Sequence, residues 1–524
     1  MAIRVSGIMT GLDDPVESAF QKAKQALGLK EARCSVTKTS IDARRRPVRF
    51  VHTISVETED ENKIYQRCKS PNIVLYRPQP MKISYGKSPM EYRPVIAGFG
   101  PAGMFCGLLL ARCGYRPLIL ERGPAMEKRV KKVEAFWETG ILDPDANVQF
   151  GEGGAGTFSD GKLTTRIGDA KCDWVLQEFV KLGAPSEILY QAKPHIGTDL
   201  LRGVVMNLRK ELISSGGEIR FETPFTDLQQ KNGTLSVKTP EEEIPASVLV
   251  LAVGHSARDT FLMLEKKGFS MEPKPFSVGV RIEHLQKEID KGLYGDLAGH
   301  PALPPGEYQL SYREGERGVY TFCMCPGGVV VPAASQEGMA VTNGMSCHAR
   351  NGINANSAVA VSVGPDDYGK SPLDGMRFQQ HLEELAFRAG GGKYHAPVQD
   401  MGHFLKGERG FSAGCVVPSY CLGIAEADFS SLFPPFITDM LRKGFLRFSK
   451  KLPGFAAKDS VLTGIETRTS SPVRILRQED YQAQGFQNVY PCAEGAGYAG
   501  GIMSAAVDGL RVALSIMERF APFS

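Results

Sequence analysis

The sequence has little that would mark a secreted, metal-stapled or fibrous protein. Tryptophan is scarce, with two residues in 524. The 11 cysteines are scattered and form neither a CxxC pair nor a Cys/His cluster at zinc spacing, so no disulfide framework and no metal site is expected. A cysteine set of this kind fits a reducing compartment, and the N-terminal residues lack the apolar core of a signal peptide; the expected location is the cytoplasm. There is no internal repeat and no low-complexity tract. The most apolar run, Pro94 to Ala111, is punctuated by Gly98, Gly100, Gly103 and Gly107, which reads as a buried strand–turn–helix unit and not as a membrane span.

Charge of either sign is nearly balanced, with 62 Lys+Arg against 58 Asp+Glu, but it is unevenly placed. Residues 1–90 hold 16 Lys+Arg and 9 Asp+Glu, densest in basic residues at Arg44, Arg45, Arg46 and Arg49. The ordinary reading of such a patch is a solvated strand edge; the alternative is contact with an anionic partner such as nucleic acid.

A chain of this length holds several domains, and the pattern changes along it. Residues 1–88 read as a small basic α+β domain: strands at Ile3–Met9, Cys34–Ile41 and Val48–Glu57, and a helix at Pro15–Leu27 with Asp13 or Asp14 as its cap. A loop rich in Pro and Lys, Arg77 to Pro89, follows. Residues 89–270 show short apolar strands (Val95–Ala97, Pro117–Leu120, Ile219–Phe221, Ser247–Ala252) between helices, the mark of a parallel sheet covered on both faces. Residues 271–462 change to short strands separated by turns, at Ser277–Ile282, Tyr308–Tyr312, Gly318–Cys323, Gly328–Val331 and Ala358–Val363, with helices at Met376–Ala389 and Phe436–Phe448. The expected architecture is α/β: a Rossmann-type nucleotide domain completed by residues 463–524, with a substrate domain of mixed or antiparallel sheet inserted in it.

The first chemical motif is Gly98-Phe-Gly-Pro-Ala-Gly103, a G-x-G-x-x-G sequence that follows a strand and opens a helix. Gly98 permits the tight turn, Gly100 lets backbone approach a pyrophosphate, and Gly103 allows close helix–strand packing. Glu121, 18 positions after Gly103 at the end of the next strand, suits the ribose hydroxyls of a dinucleotide. The motif alone does not separate one dinucleotide from another. Gly153-Gly154-Ala155-Gly156-Thr157 has too little side chain to build a core, and suits a loop pressed on a flat group, with Thr157 and Ser159 as donors.

Four segments carry a resemblance: Gly98–Gly103, Phe150–Leu163, Val250–Asp259 and Tyr490–Ile502, with Gly464–Arg474 beside them. Through them the chain resembles the FAD-dependent dehydrogenases of the glutathione-reductase-type FAD fold. The resemblance implies FAD as the cofactor. It places Glu494, where aspartate is commoner, on the ribityl chain, and the helix opened by Gly501, Ile502 and Met503, running through Met517, at the flavin pyrimidine edge. The cofactor-binding set so implied comprises Gly98, Gly100, Pro101, Ala102, Gly103, Glu121, Arg122, Arg129, Gly153, Gly154, Ala155, Gly156, Thr157, Ser159, Lys162, Phe225, Ala252, Gly254, Arg258, Glu494, Gly495, Gly501, Ile502 and Met503.

Flavin carries the redox chemistry and protein tunes it. No second G-x-G-x-x-G with a polar strand end is present, so NAD(P)H, as an electron donor, lacks a Rossmann domain of its own. Cys323 and Cys325 are the candidate catalytic residues. Arg281, Arg350, Asn354, Arg468 and Arg474 are candidates for binding the substrate, an unidentified small molecule. His255 is expected to be a turn residue and not a base. The expected function is an FAD-dependent oxidoreductase; the alternatives are an RNA-associated flavoprotein and a flavin redox carrier or sensor.

Overall fold

The computed structural model describes residues 1–68, 70–77, 79–231 and 234–523. Its centre is a five-stranded parallel sheet in the order Val489–Pro491, Leu249–Leu251, Val95–Ala97, Leu118–Leu120, Glu218–Arg220. The strands are short and the inner ones apolar throughout because both faces are covered. Alternation sorts their side chains. Ile96, Ile119, Val250 and Tyr490 join a core built with helices, whereas Val95, Ala97, Leu118, Leu120, Leu249 and Leu251 pack with Leu228, Leu235 and Val237. The latter three belong to an antiparallel three-stranded sheet, Glu243–Ala246, Thr234–Lys238 and Asp227–Lys231, on the opposite face.

Two helices on the first face aim their N-termini at one place. The helix Pro101–Arg112 is buried along nearly its whole length, which explains the apolar run in the sequence. The helix Ile502–Arg519 crosses it so closely that a Cβ on Gly509 would lie 2.2 Å from the Ala102 carbonyl oxygen.

The middle of the chain forms a seven-stranded sheet ordered Ser311–Glu314, Arg317–Cys325, Asn354–Val363, Phe276–Leu285, Val461–Glu466, Ala396–Asp400, Ile424–Glu426. All its pairings are antiparallel except the last. The helix Pro435–Lys451 packs on it, and Leu441, Phe445 and Phe448 of that helix enter the core with Val278, Val280 and Val361. The chain leaves and re-enters through one antiparallel ribbon, Met271–Pro273 against Val473–Ile475, which pins the ends of the inserted stretch together.

The N-terminal strands Ala2–Thr10, Arg33–Asp42, Arg49–Glu57 and Ile73–Tyr76 make an antiparallel sheet, covered by the helices Val16–Leu27 and Glu61–Arg67. The expected aspartate cap is not there. The first helix starts after Pro15 with no side-chain cap, because the Asp14 carboxylate accepts the Gly11 N–H at 2.7 Å. In the basic patch Arg44 pairs with Asp42 at 2.8 Å and Arg46 reaches the Leu293 carbonyl at 3.4 Å, yet Arg44, Arg45, Arg46 and Arg49 are all exposed. The strand expected at Tyr308–Tyr312 begins only at Ser311. Tyr308 turns inward instead, and its hydroxyl meets His284 at 2.8 Å and Ser357 at 3.0 Å.

Candidate functional site

A cavity of about 1400 Å³ opens at the C-terminal ends of the central parallel strands, on the side facing the seven-stranded sheet. Its wall contains Gly98, Gly100, Pro101 and Ala102; Glu121 and Arg122; Gly154, Ala155, Gly156, Ser159 and Lys162; Phe225, Ala252 and Gly254; and Glu494, Gly495, Gly501 and Ile502. Segments hundreds of residues apart thus share one wall.

Each glycine turn is held open by backbone that leaves no room for a side chain. Gly98 has φ +104°, and a Cβ there would stand 2.4 Å from the Ala252 carbonyl oxygen. A Cβ on Gly103 would stand 2.0 Å from the Gly98 carbonyl oxygen, so Gly103 supports the turn from behind and does not line the cavity. Gly100 is different. Its backbone is ordinary, with φ −81°, and a Cβ would meet only the Gly154 Cα at 3.8 Å. From the other side the fit is tighter: a Cβ on Gly154 would stand 3.1 Å from the Gly100 Cα, so the two turns meet backbone to backbone. Neither Gly100 nor Gly501 supplies a side-chain cap, so the N-terminal N–H groups of both long helices face the cavity with positive dipole ends.

Glu121 does more than line the wall. Its carboxylate accepts N–H bonds from Phe99 at 2.8 Å, Gly123 at 2.9 Å and Gly151 at 3.1 Å, and so ties the first glycine turn to the second. Arg129 lies fully buried behind the second turn, not in the wall. It donates to the carbonyls of Asn147, Val148, Glu152 and Gly154. Gly153 and Thr157 also stay behind this loop; a Cβ on Gly153 would collide with the Thr157 hydroxyl at 2.2 Å. Ser159 lines the wall, but its hydroxyl already donates to the Gly156 carbonyl at 2.6 Å. Arg122 lies over the Phe150 ring and pairs with Asp259 at 2.8 Å. Met503 points into the helical core.

Glu494 faces the cavity beside the Gly501 helix end. Burial pushes its carboxyl up to about 7, against the opposing pull of the Gly501 N–H and Lys274. His255 also lines the wall, its Nδ1 2.9 Å from the Ser256 hydroxyl. Burial, with Arg468 and Arg258 nearby, lowers it to about 3, so it is a neutral imidazole at ordinary pH.

Most arginines assigned to substrate are spent on buried carboxylates. Arg281 binds Glu466 at 2.9 Å, Asn356 at 2.9 Å and the Cys323 carbonyl at 3.0 Å. Arg258 grips Glu383, which Arg468 also holds at 3.0 Å; of these, Arg468 reaches the cavity wall. Arg350 is locked on Asp160. Asn354 bonds Glu283 at 3.1 Å and the Val417 carbonyl at 2.8 Å, away from the cavity, and Arg474 lies against Tyr498 and Glu272. These positions follow from desolvation: a buried guanidinium needs a carboxylate, and the partners lie far away in sequence. Residues that the sequence reading did not assign to the site also line the wall, among them Glu307, Tyr308, Tyr320, Asn343 and Glu466. Lys162 sits between Asp160 at 3.4 Å and Glu307 at 3.2 Å, and its buried Nζ makes no hydrogen bond among the described residues.

The cysteine pair departs from a regular strand. Cys323 has φ +44° and the register slips between Phe322 and Cys325, so simple alternation fails there. Cys323 lines the cavity, while Cys325 is buried with its Sγ 3.4 Å from the Cys323 carbonyl. A hydrogen bond from the Cys325 thiol, helped by Arg281 and Lys162, holds Cys323 below the ordinary thiol value and drives Cys325 above it.

A family model described as "FAD-dependent protein, C-terminal domain-like" matches residues 275–469. An uncharacterized protein from Clostridium beijerinckii is 46% identical over 529 residues, covering 99% of each chain. Among solved structures, NikD, an amino acid oxidase, shares 13% identity over 81% of this chain and 94% of that one, with a TM-score of 0.37. The glycine oxidase from Geobacillus kaustophilus shares 13% over 83% and 96%, with a TM-score of 0.33. A thioredoxin reductase from Gloeobacter violaceus matches at 20% identity over 31% of this chain, about a third of its own length at 34%, with a TM-score of 0.19. Overlaps this loose do not say which atoms correspond. FAD is the cofactor, and the chain is a flavoprotein.

Proposed function

The chain belongs to one family with the Clostridium beijerinckii protein, and we propose that it is an oxidoreductase that holds FAD non-covalently in the cavity and acts on a small molecule. The observation that carries this reading is the meeting of two uncapped helix N-termini and two side-chain-free glycine turns on one large cavity. The fit is chemical. The helix end at Pro101, with Gly98 and Gly100, would take the pyrophosphate, which needs N–H donors and close backbone approach. Glu121, with lone pairs left on a carboxylate that already orders both turns, would take the adenosine ribose. Gly154 to Gly156 would lie along the ring, Glu494 by the ribityl hydroxyls, and the Gly501 helix end by the pyrimidine edge.

When bound, FAD supplies two-electron redox chemistry at its ring. The chain's own part is electrostatic. The helix end at Gly501 favours negative charge at that edge, which raises the reduction potential. The seven-stranded sheet closes the opposite wall with Tyr320, Phe322 and Cys323, which excludes water from part of the cavity and leaves Lys162, Glu307 and Arg468 among its charged groups. NADH or NADPH is the donor to test first.

The experiment is direct. Purified protein should be yellow, should release FAD on denaturation, and after anaerobic photoreduction should be reoxidised by its substrate in a metabolite screen, with NADH and NADPH tried as reductants. Folded, colourless protein that takes up no added FAD refutes the proposal.

A further inference from the structure

We propose that Arg468, set against Arg258 across the Glu383 carboxylate, is the binding site for an oxyanion that enters the cavity. The count of buried charges carries this. Glu383 accepts from Arg258 at 2.8 and 2.9 Å, from Arg468 at 3.0 and 3.2 Å, and from the Thr467 hydroxyl at 2.7 Å. A carboxylate offers about four lone-pair sites, so Glu383 is saturated. The remaining side-chain partners of the two arginines, Gln336, Met339, Gln379, Ser256 and Ser335, are neutral. His255 in the same wall is a neutral imidazole. Two cations therefore face one anion, and all three side chains are 4% exposed or less. An uncompensated buried charge is costly, and an incoming anion removes that cost.

The excess charge lies where a ligand can reach it. Arg468, His255, Ser256 and Thr260 border the cavity, whereas Arg258 and Glu383 stand behind them. Glu383 takes the Arg468 Nε and one Nη2 hydrogen, and Ser256 and Ser335 take Nη1. The second Nη2 hydrogen has no partner among the described residues, so the guanidinium is oriented before any ligand arrives and keeps a donor to spend. The helix Arg258–Lys266 starts at this wall without a side-chain cap, and its positive end has the same sign. The strand end leading to Ser256 touches two of the glycine turns. The Ala252 carbonyl backs Gly98, and a Cβ on Gly495 would stand 2.6 Å from the Gly254 carbonyl oxygen. An oxyanion at Arg468 is therefore either the pyrophosphate of FAD or an acidic group on the substrate, and both present the same chemistry to the guanidinium.

The test uses the full-length holoprotein and two readouts besides activity. The first is the rate at which diluted holoprotein releases FAD, followed by the rise in flavin fluorescence; this arm rests on the reading that FAD fills the cavity. If the oxyanion belongs to FAD, Arg468→Gln should release it about 10- to 150-fold faster than wild type, the loss of one charge-assisted hydrogen bond, and Arg468→Lys, which keeps the charge, should fall between the two. The second is the melting temperature in inorganic phosphate against chloride at equal ionic strength. If the oxyanion belongs to the substrate, FAD release should be unchanged, and phosphate should raise the melting temperature of wild type by about 2 °C or more and that of Arg468→Gln not at all. Equal FAD release together with an equal response to phosphate in the two proteins overturns the site and leaves the flavoprotein reading intact. Colourless wild type that takes up no FAD overturns the flavin reading, and the phosphate comparison then decides the site alone. Arg258 still neutralises Glu383 in Arg468→Gln, so this variant should fold; a variant that does not fold shows that Arg468 is needed to balance Glu383, and overturns the proposal.

Discussion

The glycine turn separates two roles that one motif combines, and two substitutions pull them apart. Gly100→Ala places a methyl at the cavity wall in ordinary contact with Gly154, 3.8 Å from its Cα, on a backbone with φ −81° that alanine adopts freely. Its folding cost is small. Alanine is a poorer N-cap than glycine by about 0.5–1 kcal/mol, and its lower unfolded-state entropy returns a similar amount. Its binding cost is larger if the pyrophosphate sits where proposed, because the methyl would crowd it; an overpacking penalty of about 1–3 kcal/mol is roughly a 5- to 150-fold rise in Kd for FAD. Gly103→Ala is the converse. Its methyl would meet the Gly98 carbonyl oxygen at 2.0 Å, and Gly98 cannot yield because Ala252 stands behind it. The gain of about 1 kcal/mol in helix propensity does not offset a backbone collision that costs several kcal/mol at the rigid end of the overpacking range. Urea unfolding measures the first quantity and quenching of FAD fluorescence the second. Gly100→Ala should unfold like the wild type and bind FAD weakly; Gly103→Ala should be clearly destabilised. Wild-type FAD affinity in Gly100→Ala, or equal destabilisation in both, refutes the assignment of these roles.

Three further outcomes follow from the buried charges. Glu494 has a folded value of about 7 against 4.5 unfolded, so its stabilising contribution is fully present below 4.5 and is lost as pH rises from there through 7; at most about 3 kcal/mol is involved, reduced where cavity water reaches the group, and Glu494→Gln should flatten the fall in thermal stability between pH 4.5 and 7. Glu383 is shifted the other way, to about 2, by Arg258 and Arg468, so its contribution is present above 4.5 and disappears as pH falls toward 2. Glu383→Gln should cost about 3–5 kcal/mol in urea unfolding at neutral pH and remove that acid limb. Arg129→Met leaves the carbonyls of Asn147, Val148, Glu152 and Gly154 without their donor, and should cost about 3 kcal/mol or more and expose the 147–156 loop to limited proteolysis.

Much of this site could be read from local sequence because local backbone needs are written locally. Gly98 to Gly103 follows a strand and opens a helix in the structure as in the motif, and Glu121 ends the next strand. The helix expected from Gly501 through Met517 spans Ile502–Arg519. The arginines show the limit. Arg129, Arg258, Arg281 and Arg350 stood in motif-like stretches, yet each is used to satisfy buried carbonyls or carboxylates supplied from distant parts of the chain. Cys323 and Cys325 show it as well. Alternation puts positions i and i+2 on one face, and a bulge that no local residue announces breaks it, leaving Cys323 at the cavity and Cys325 buried.

The amino-acid order alone therefore determined the turns, the strand ends and the uncapped helix starts, since glycine content and hydrophobic period act over a few residues. Only tertiary packing decided that positions near 98, 154 and 494 border one cavity and which charges face it. Those outcomes depend on contacts between segments hundreds of residues apart, where the cost of burying each polar group is met by whatever partner the fold brings to it.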